Sequence, residues 1–263
     1  MQKDDDRIPA LHALGFRSAT DALNALLAHA TKSRLGAVES IEQLCALERR
    51  ERETRNLRRR TQAACLGTVA PLDTFDWSHP RKIDRPLIEG LFTLDFLDRG
   101  ENVLFRGPSG VGKTMLALGL SLEALTRGHT VRFSTLAAAL ADLVRQESLP
   151  ALDRRLKRYT LPDLLVLDEM GYLPCDSRAA DLLYNIISRR HEKSSTVITT
   201  NLSFKQWGTV FPGAACIAAL VDRFAQHCHA VDIDADSWRQ KHSTAQPPGE
   251  PKTPRSPHQA KRR

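Results

Sequence analysis

The residues best equipped for chemistry begin at Gly107. Gly107-Pro108-Ser109-Gly110-Val111-Gly112-Lys113-Thr114 matches the P-loop spacing GxxxxGK[ST] without a mismatch. Each position has a physical task. Glycines let the backbone curl around phosphate oxygens with no Cβ in the way. The loop amides then face the anion together with the N-terminus of the helix that follows. Lys113 can reach β- and γ-phosphates, and the Thr114 hydroxyl can ligate Mg²⁺. The flanks agree with the motif: Val103-Leu104-Phe105 reads as a buried strand before the loop, and Met115-Leu116-Ala117-Leu118 opens a helix after it. ATP and Mg²⁺ are the ligands this pattern predicts.

Two further stretches carry chemistry. Leu164-Leu165-Val166-Leu167 is apolar at every position, as in a parallel strand buried on both faces, and it runs into Asp168-Glu169. The carboxyl end of such a strand is where ligands of open α/β sheets bind. There Asp168 is expected to hold Mg²⁺ and Glu169 to polarise an attacking water, which favours hydrolysis over transfer to a small acceptor. Val197-Ile198-Thr199-Thr200-Asn201 is a third apolar strand with a polar end, and Asn201 is expected to orient the water or touch the γ-phosphate.

Positioning these residues requires a sheet. Strands are expected at Val103–Arg106, Thr130–Ser134, Leu164–Leu167, Thr196–Thr199 and Ala230–Ile233, with helical patterns between them. That alternation predicts an α/β fold with a parallel sheet flanked by helices. Upstream, Ala22, Leu23, Leu26 and Leu27 fall at helical spacing. A second helical pattern passes through Val38, Ile41, Leu44, Cys45 and Leu47 and meets no Pro or Gly before Gly67, so one long helix is expected, apolar at its start and basic at its end. The expected organisation is a small all-helical basic region at 1–70, a connector at 71–95 in which Pro71, Pro80 and Pro86 interrupt regular structure, an ATPase core at 96–242, and a Pro-rich basic tail at 243–263 too polar to order itself.

Bulk properties narrow the function classes. The chain has 263 residues, 41% hydrophobic and 26% charged, which suits a globular protein with a real core. No apolar run approaches the roughly 20 residues of a membrane span, and the start of the chain lacks a secretory signal, so no membrane association and a cytoplasmic location are expected. Cys45, Cys65, Cys175, Cys216 and Cys228 form no CxxC pair, which argues for reduced thiols rather than zinc. His191, His227 and His229 have no companion ligands at metal-binding spacing and are expected to be hydrogen-bonded or exposed. Phe75 and Trp77, just before the core, can pack near adenine or within the core.

The net charge of +7 is concentrated. Arg49, Arg50, Arg52, Arg55, Arg58, Arg59 and Arg60 crowd the end of the long helix, and Arg52, Arg55 and Arg59 share a face. Contact with a nucleic-acid backbone through Arg55, Arg58 and Arg59 is one reading, and no aromatic residues interleave to stack single-stranded bases. A solvated, salt-bridged helix face is the competing one, since Glu48, Glu51 and Glu53 lie among the arginines.

Beyond the P-loop, the chain resembles AAA+ ATPases of the IstB-like family, the ATP-binding helpers of insertion-sequence transposition, related to DnaC-type helicase loaders. The resemblance rests on Asp163 to Pro174 (DLLVLDEMGYLP), on Ile187-Ser188-Arg189-Arg190 followed by Ser195 to Asn201, on Trp207, on Leu220-Val221-Asp222-Arg223-Phe224, on Ser237-Trp238-Arg239, and on the Glu48, Arg52 and Arg55 helix. It spans roughly residues 35 to 240. Met115 stands where the family commonly has histidine, and the expected glycine is missing from Ala235 to Ser237. The resemblance implies a homo-oligomer with ATP sites between subunits, Arg223 serving as the arginine finger of a neighbour, Arg239 as a second nucleotide sensor or a structural residue, and double-stranded DNA and a transposase as partners. A helicase loader, a P-loop small-molecule kinase and a non-hydrolysing ATP switch are the alternatives.

Overall fold

The computed structural model describes residues 7–67, 69, 72–171 and 176–238. Expectations for Cys175, Pro71, Arg239 and the tail at 243–263 fall outside these residues.

Helices α1 (Arg7–Ala13), α2 (Thr20–Lys32) and α3 (Ala37–Ala64) come first, so the long basic helix is one element of 28 residues. At 1.5 Å per residue it extends about 42 Å. Its apolar start is not a buried stripe: Val38 and Ile41 are exposed, and Glu48 and Ala64 are its buried residues. What fastens α3 to the chain before it is polar. Glu48 accepts hydrogen bonds from the Arg17 and Ser18 amides (2.8 and 2.9 Å), from the Ser18 hydroxyl (2.7 Å) and from Arg55 Nη2 (3.0 Å). Burial pushes the Glu48 carboxyl up, but the Ser18, Arg17 and Arg55 hydrogen bonds outweigh it and bring it down to about 2. The other end of α3 packs on the core through Leu57 and Ala64, and Arg60 Nη2 donates to the Leu125 carbonyl at 3.1 Å.

The connector is more regular than its prolines suggest. Helix α4 (Arg85–Leu91) lies inside it, with Asp84 accepting from the Leu87 amide as N-cap. Pro86 sits in the first turn, where a missing N–H costs nothing because that turn has no intrahelical acceptor. Helix α5 (Asp95–Asp98) then leads into the sheet.

The described residues form a five-stranded, wholly parallel sheet: β1 (Asn102–Arg106), β2 (Val131–Thr135), β3 (Leu164–Met170), β4 (Ser195–Thr200) and β5 (Cys228–Asp232), in spatial order β2-β3-β4-β1-β5. Helix α6 (Lys113–Thr126) follows β1, α7 (Leu136–Val144) and α8 (Leu149–Thr160) follow β2, α9 (Ser177–Arg190) follows β3, and α10 (Trp207–Val210) and α11 (Ile217–Ala225) lie between β4 and β5. Both faces are covered, so alternate strand residues feed two cores. Val103, Phe105, Val166 and Val197 join α6, while Leu104, Leu165, Leu167 and Ile198 join α7, α9 and α11. Among the described residues no helix is long and apolar enough to cross a membrane.

This strand order matters for the site. β4 is inserted between β1 and β3, so the carboxyl ends of β1, β4 and β3 stand in a row. The P-loop, Thr199 and Asp168-Glu169 therefore meet at one edge, although 54 residues separate Thr114 from Asp168.

Candidate nucleotide site

The P-loop joins β1 to α6, and Lys113 is the first helical residue. Gly112 takes φ 95° to turn the chain into the helix, and a Cβ there would lie 2.6 Å from Phe75 Cε2. Gly107 is required for a different reason: a Cβ on it would fall 2.3 Å from the Ile233 carbonyl oxygen at the end of β5. Lys113 is almost wholly buried, and its Nζ donates to the Gly107 and Pro108 carbonyls at 2.8 and 2.6 Å. The ammonium is thus held in the bowl of the loop, where the loop amides also converge.

Asp168 is 3% exposed and ends the buried run of β3. Thr114 Oγ1 lies 3.1 Å from both of its carboxylate oxygens, and the Thr199 hydroxyl donates to Oδ1. The same Thr199 oxygen accepts the Glu169 amide at 2.9 Å. Glu169 has φ 61°, a left-handed conformation costly for a residue with a Cβ, and it falls where the β3–β4 register shifts between Leu167 and Met170. The bulge reverses the alternation that would place Glu169 on a sheet face, and its exposed side chain lines the same cavity as the P-loop. Thr199 therefore fixes both acids at once. Nothing in the sequence distinguishes Thr199 from Asn201, two residues on; the strand packing does.

The cavity has a volume of about 370 Å³, within the range of small-molecule sites. Its floor is 109–115 with Glu169 and Thr199, and its wall is Thr74, Phe75, Asp76, His79 and Trp238. Phe75 reaches it while also belonging to the core. Trp77 instead packs edge-on against Phe75 at 4.9 Å under the Arg85 guanidinium. The wall is closed by residues 234–238 folding back on the connector. Lys82 and Asp234 form an antiparallel bridge, His79 Nε2 lies 2.8 Å from the Asp236 carbonyl, Arg81 pairs with Asp236, and the Trp238 amide donates to Gly110 at 3.1 Å. The His79 and Trp238 rings meet edge-on at 4.9 Å. No local pattern announces His79 or Trp238 as cavity residues, because about 160 residues lie between them.

The remaining candidates lie elsewhere. Asn201 is exposed just beyond β4, beside Gly171, and does not line the cavity. Arg223, on α11, is also away from this chain's own cavity; its guanidinium lies over the Tyr184 ring at 4.9 Å and donates to Ser188 Oγ. Arg55 is occupied by Glu48 and by the Arg17 carbonyl (2.8 Å), whereas Arg58 and Arg59 are exposed. A second basic feature is a groove of about 310 Å³ lined by Arg154, Arg155 and Arg158 of α8 with Gln146 and Ala151. Arg155 pairs with Asp142 at 2.9 Å. Of the histidines, His229 pairs with Glu101 at 2.7 Å.

Comparison with known proteins agrees with this geometry. The family described as IstB-like ATP binding protein matches residues 9–246, further toward the N-terminus than the motifs alone reach. An ATP-binding protein of insertion sequence IS21 from Pseudomonas aeruginosa is 35% identical over 219 residues, 83% of each chain. One of insertion sequence IS5376 from Geobacillus stearothermophilus is 31% identical over 228 residues, 87% of this chain and 91% of that one. Among solved structures, the DnaC helicase loader superposes with a TM-score of 0.51 at 21% identity, covering 63% of this chain and 97% of the loader. DnaI superposes at 0.52 and 19% identity, covering 62% and 90%. The fold is that of the AAA+ P-loop proteins, and a family match over nearly the whole chain carries the conclusion further: this chain belongs to the IstB-like ATP-binding protein family.

Proposed function

We propose that the chain is a DNA-dependent ATPase that assembles on double-stranded DNA with its ATP sites shared between subunits, and that the assembly recruits or activates a transposase. The observation that carries the hydrolytic part is the meeting of Lys113, Thr114, Asp168 and Glu169 around one cavity, with both acids held by Thr199. The transposase follows from the insertion-sequence names of the relatives.

The chemistry divides among the residues as follows. The loop amides and Lys113 bind the phosphates, the ammonium exchanging its loop carbonyls for phosphate oxygens. A hydroxyl and a carboxylate 3.1 Å apart are hard oxygen donors suited to Mg²⁺, so Thr114 and Asp168 would hold the ion, which supplies charge neutralisation on the phosphates. Glu169, aimed into the cavity by its bulge, takes the proton from water. Asn201, just beyond β4, would orient the water or touch the γ-phosphate, and Arg223 would complete the site from the adjoining subunit. In support of the latter, Arg223 does not line its own chain's cavity.

For DNA, the contacts favour a narrower set than the arginine run. Arg58 and Arg59 bond to no other described residue, while Arg55 is built into the α1–α3 junction. The Arg154 and Arg158 groove is the second basic surface. The division of the chain at about residue 70 into a DNA-engaging helical region and an ATPase core belongs to the same proposal.

The test is ATP hydrolysis with and without double-stranded DNA over a range of protein concentrations. Activity per subunit is expected to rise with both. Lys113→Ala is expected to lose nucleotide binding, and Glu169→Gln to bind ATP without turnover. Activity flat in concentration and indifferent to DNA would refute the shared, DNA-dependent site.

A further inference from the structure

Arg223 is held in an unusual way. Several other arginines held in fixed geometry are neutralised: Arg99 by Glu101, Arg106 by Asp232, Arg127 by Glu123 and Arg189 by Asp153. Arg223 makes no ion pair among the described residues. Its partners are a ring and a hydroxyl, Tyr184 and Ser188, one turn apart on α9 and so on one face. Both are neutral. A guanidinium over an aromatic face is fixed in plane and position yet keeps its full charge, and only one of its donors is spent on Ser188. A carboxylate in the same place would have to be displaced by an incoming phosphate; a ring does not.

The cradle is also aligned by a second contact on the same stripe. Cys216, the residue before α11, neighbours Asp181, and burial together with that carboxylate pushes the thiol up from its ordinary value. Positions 181, 184 and 188 on α9, three and four residues apart, thus face 216 just before α11 and 223 on it, seven residues apart. Two anchors two turns apart set the rotation of α11 about its axis, and with it the direction from which Arg223 projects.

We propose that Tyr184 and Ser188 are positioning residues that hold Arg223, charged and uncompensated, ready for the nucleotide phosphate of a second copy of this chain. The inference rests on the reading of Arg223 as a group donated between subunits. The ring supplies the platform, the hydroxyl sets the rotation of the guanidinium, and catalysis at a neighbour's site depends on both although neither touches nucleotide.

The test compares Tyr184→Leu, Tyr184→Phe, Ser188→Ala and Arg223→Ala in the full chain with ATP and double-stranded DNA. It measures kcat, nucleotide affinity with a fluorescent ATP analogue, and thermal unfolding. Tyr184→Leu is expected to lower kcat roughly 10- to 100-fold, as for a group misplaced by about an ångström, with nucleotide affinity and unfolding temperature unchanged. Tyr184→Phe keeps the ring and is expected to retain most activity; Ser188→Ala falls between. Adding Tyr184→Leu to Arg223→Ala should cause no further loss. Mixing Tyr184→Leu with Glu169→Gln subunits should restore turnover, because the latter lend a well-held Arg223 to sites with an intact Glu169. If Tyr184→Leu is fully active while Arg223→Ala is dead, or if the two losses multiply, the cradle is refuted and the shared site stands. If Arg223→Ala itself turns over normally, the donated-arginine reading fails and takes the cradle with it.

Discussion

Thr199 ties the two acids of the site to each other. Its hydroxyl donates to Asp168 and its oxygen accepts the Glu169 amide, so one side chain orients the Asp168 carboxylate and stabilises the left-handed backbone that turns Glu169 toward the cavity. Thr199→Val keeps the shape and removes both bonds. It is expected to cost about 1–3 kcal/mol of stability, the price of stranding buried polar groups. It should also lower kcat and raise the Mg²⁺ concentration for half-maximal turnover; Mg²⁺-titrated ATPase assays beside denaturant unfolding separate the two effects. Gly112→Ala is a different kind of lesion. The new methyl meets Phe75 in a backbone conformation that side chains rarely adopt, so loss of nucleotide binding with about 1–3 kcal/mol of destabilisation is expected from titration calorimetry and thermal unfolding.

At the scale of elements, two buried charged residues do what apolar stripes do in other folds. Arg190 is 1% exposed and ends α9. It donates to Thr196 Oγ1 and to the carbonyls of Tyr159, Pro162, Asp163 and Ser195, so it collects the chain ends at which β3 and β4 begin, and burial pushes its pKa down. Arg190→Met strands several acceptors and is expected to cost at least about 3 kcal/mol in urea unfolding. Glu48 plays the corresponding part for α3. Its carboxyl is lowered to about 2 from an ordinary value of 4.5, so its stabilisation is complete above about pH 4.5 and is lost as pH falls toward 2. Amide hydrogen exchange in α1 and α2 should therefore quicken over that window before the sheet opens, and Glu48→Gln should exchange quickly already at neutral pH. Arg55→Ala is expected to share the Glu48→Gln defect, whereas the Arg58→Ala/Arg59→Ala pair should leave folding intact and reduce the salt dependence of DNA binding.

For the molecule as a whole, the nucleotide cavity exists because the connector is joined to the segment that follows β5. Residues 234–238 clasp the connector at 79–82 and reach the P-loop at Gly110, so Trp238 and His79 form a wall that neither segment makes alone. Trp238 is 39% exposed and borders the P-loop, so ATP is expected to change its fluorescence in a Trp77→Phe background. Trp238→Ala should weaken nucleotide affinity severalfold while leaving the unfolding temperature within a few degrees. An unaltered affinity would mean that the wall encloses space without gripping nucleotide.

Local regularity made much of this legible in the amino-acid sequence. The P-loop needs eight consecutive residues, and the buried strands announce themselves by unbroken apolar runs, so Lys113, Thr114, Asp168 and Glu169 could be read before any fold was known. The parallel sheet followed from alternating strand and helix patterns, and the long helix from an uninterrupted stretch. Tertiary structure alone decided the rest. Strand order put β4 between β1 and β3 and so made Thr199 the residue that joins the acids. The bulge at Glu169 is a register shift between two strands and has no meaning in one. Pro86 reads as an interruption in a line and as a helix start in space. The arginines look alike in sequence; only their partners separate Arg55, locked to Glu48, from Arg58 and Arg59 in solvent and from Arg223 on its ring. Spacing along a chain encodes local geometry, whereas partnership is set by residues that only packing brings within a few ångströms.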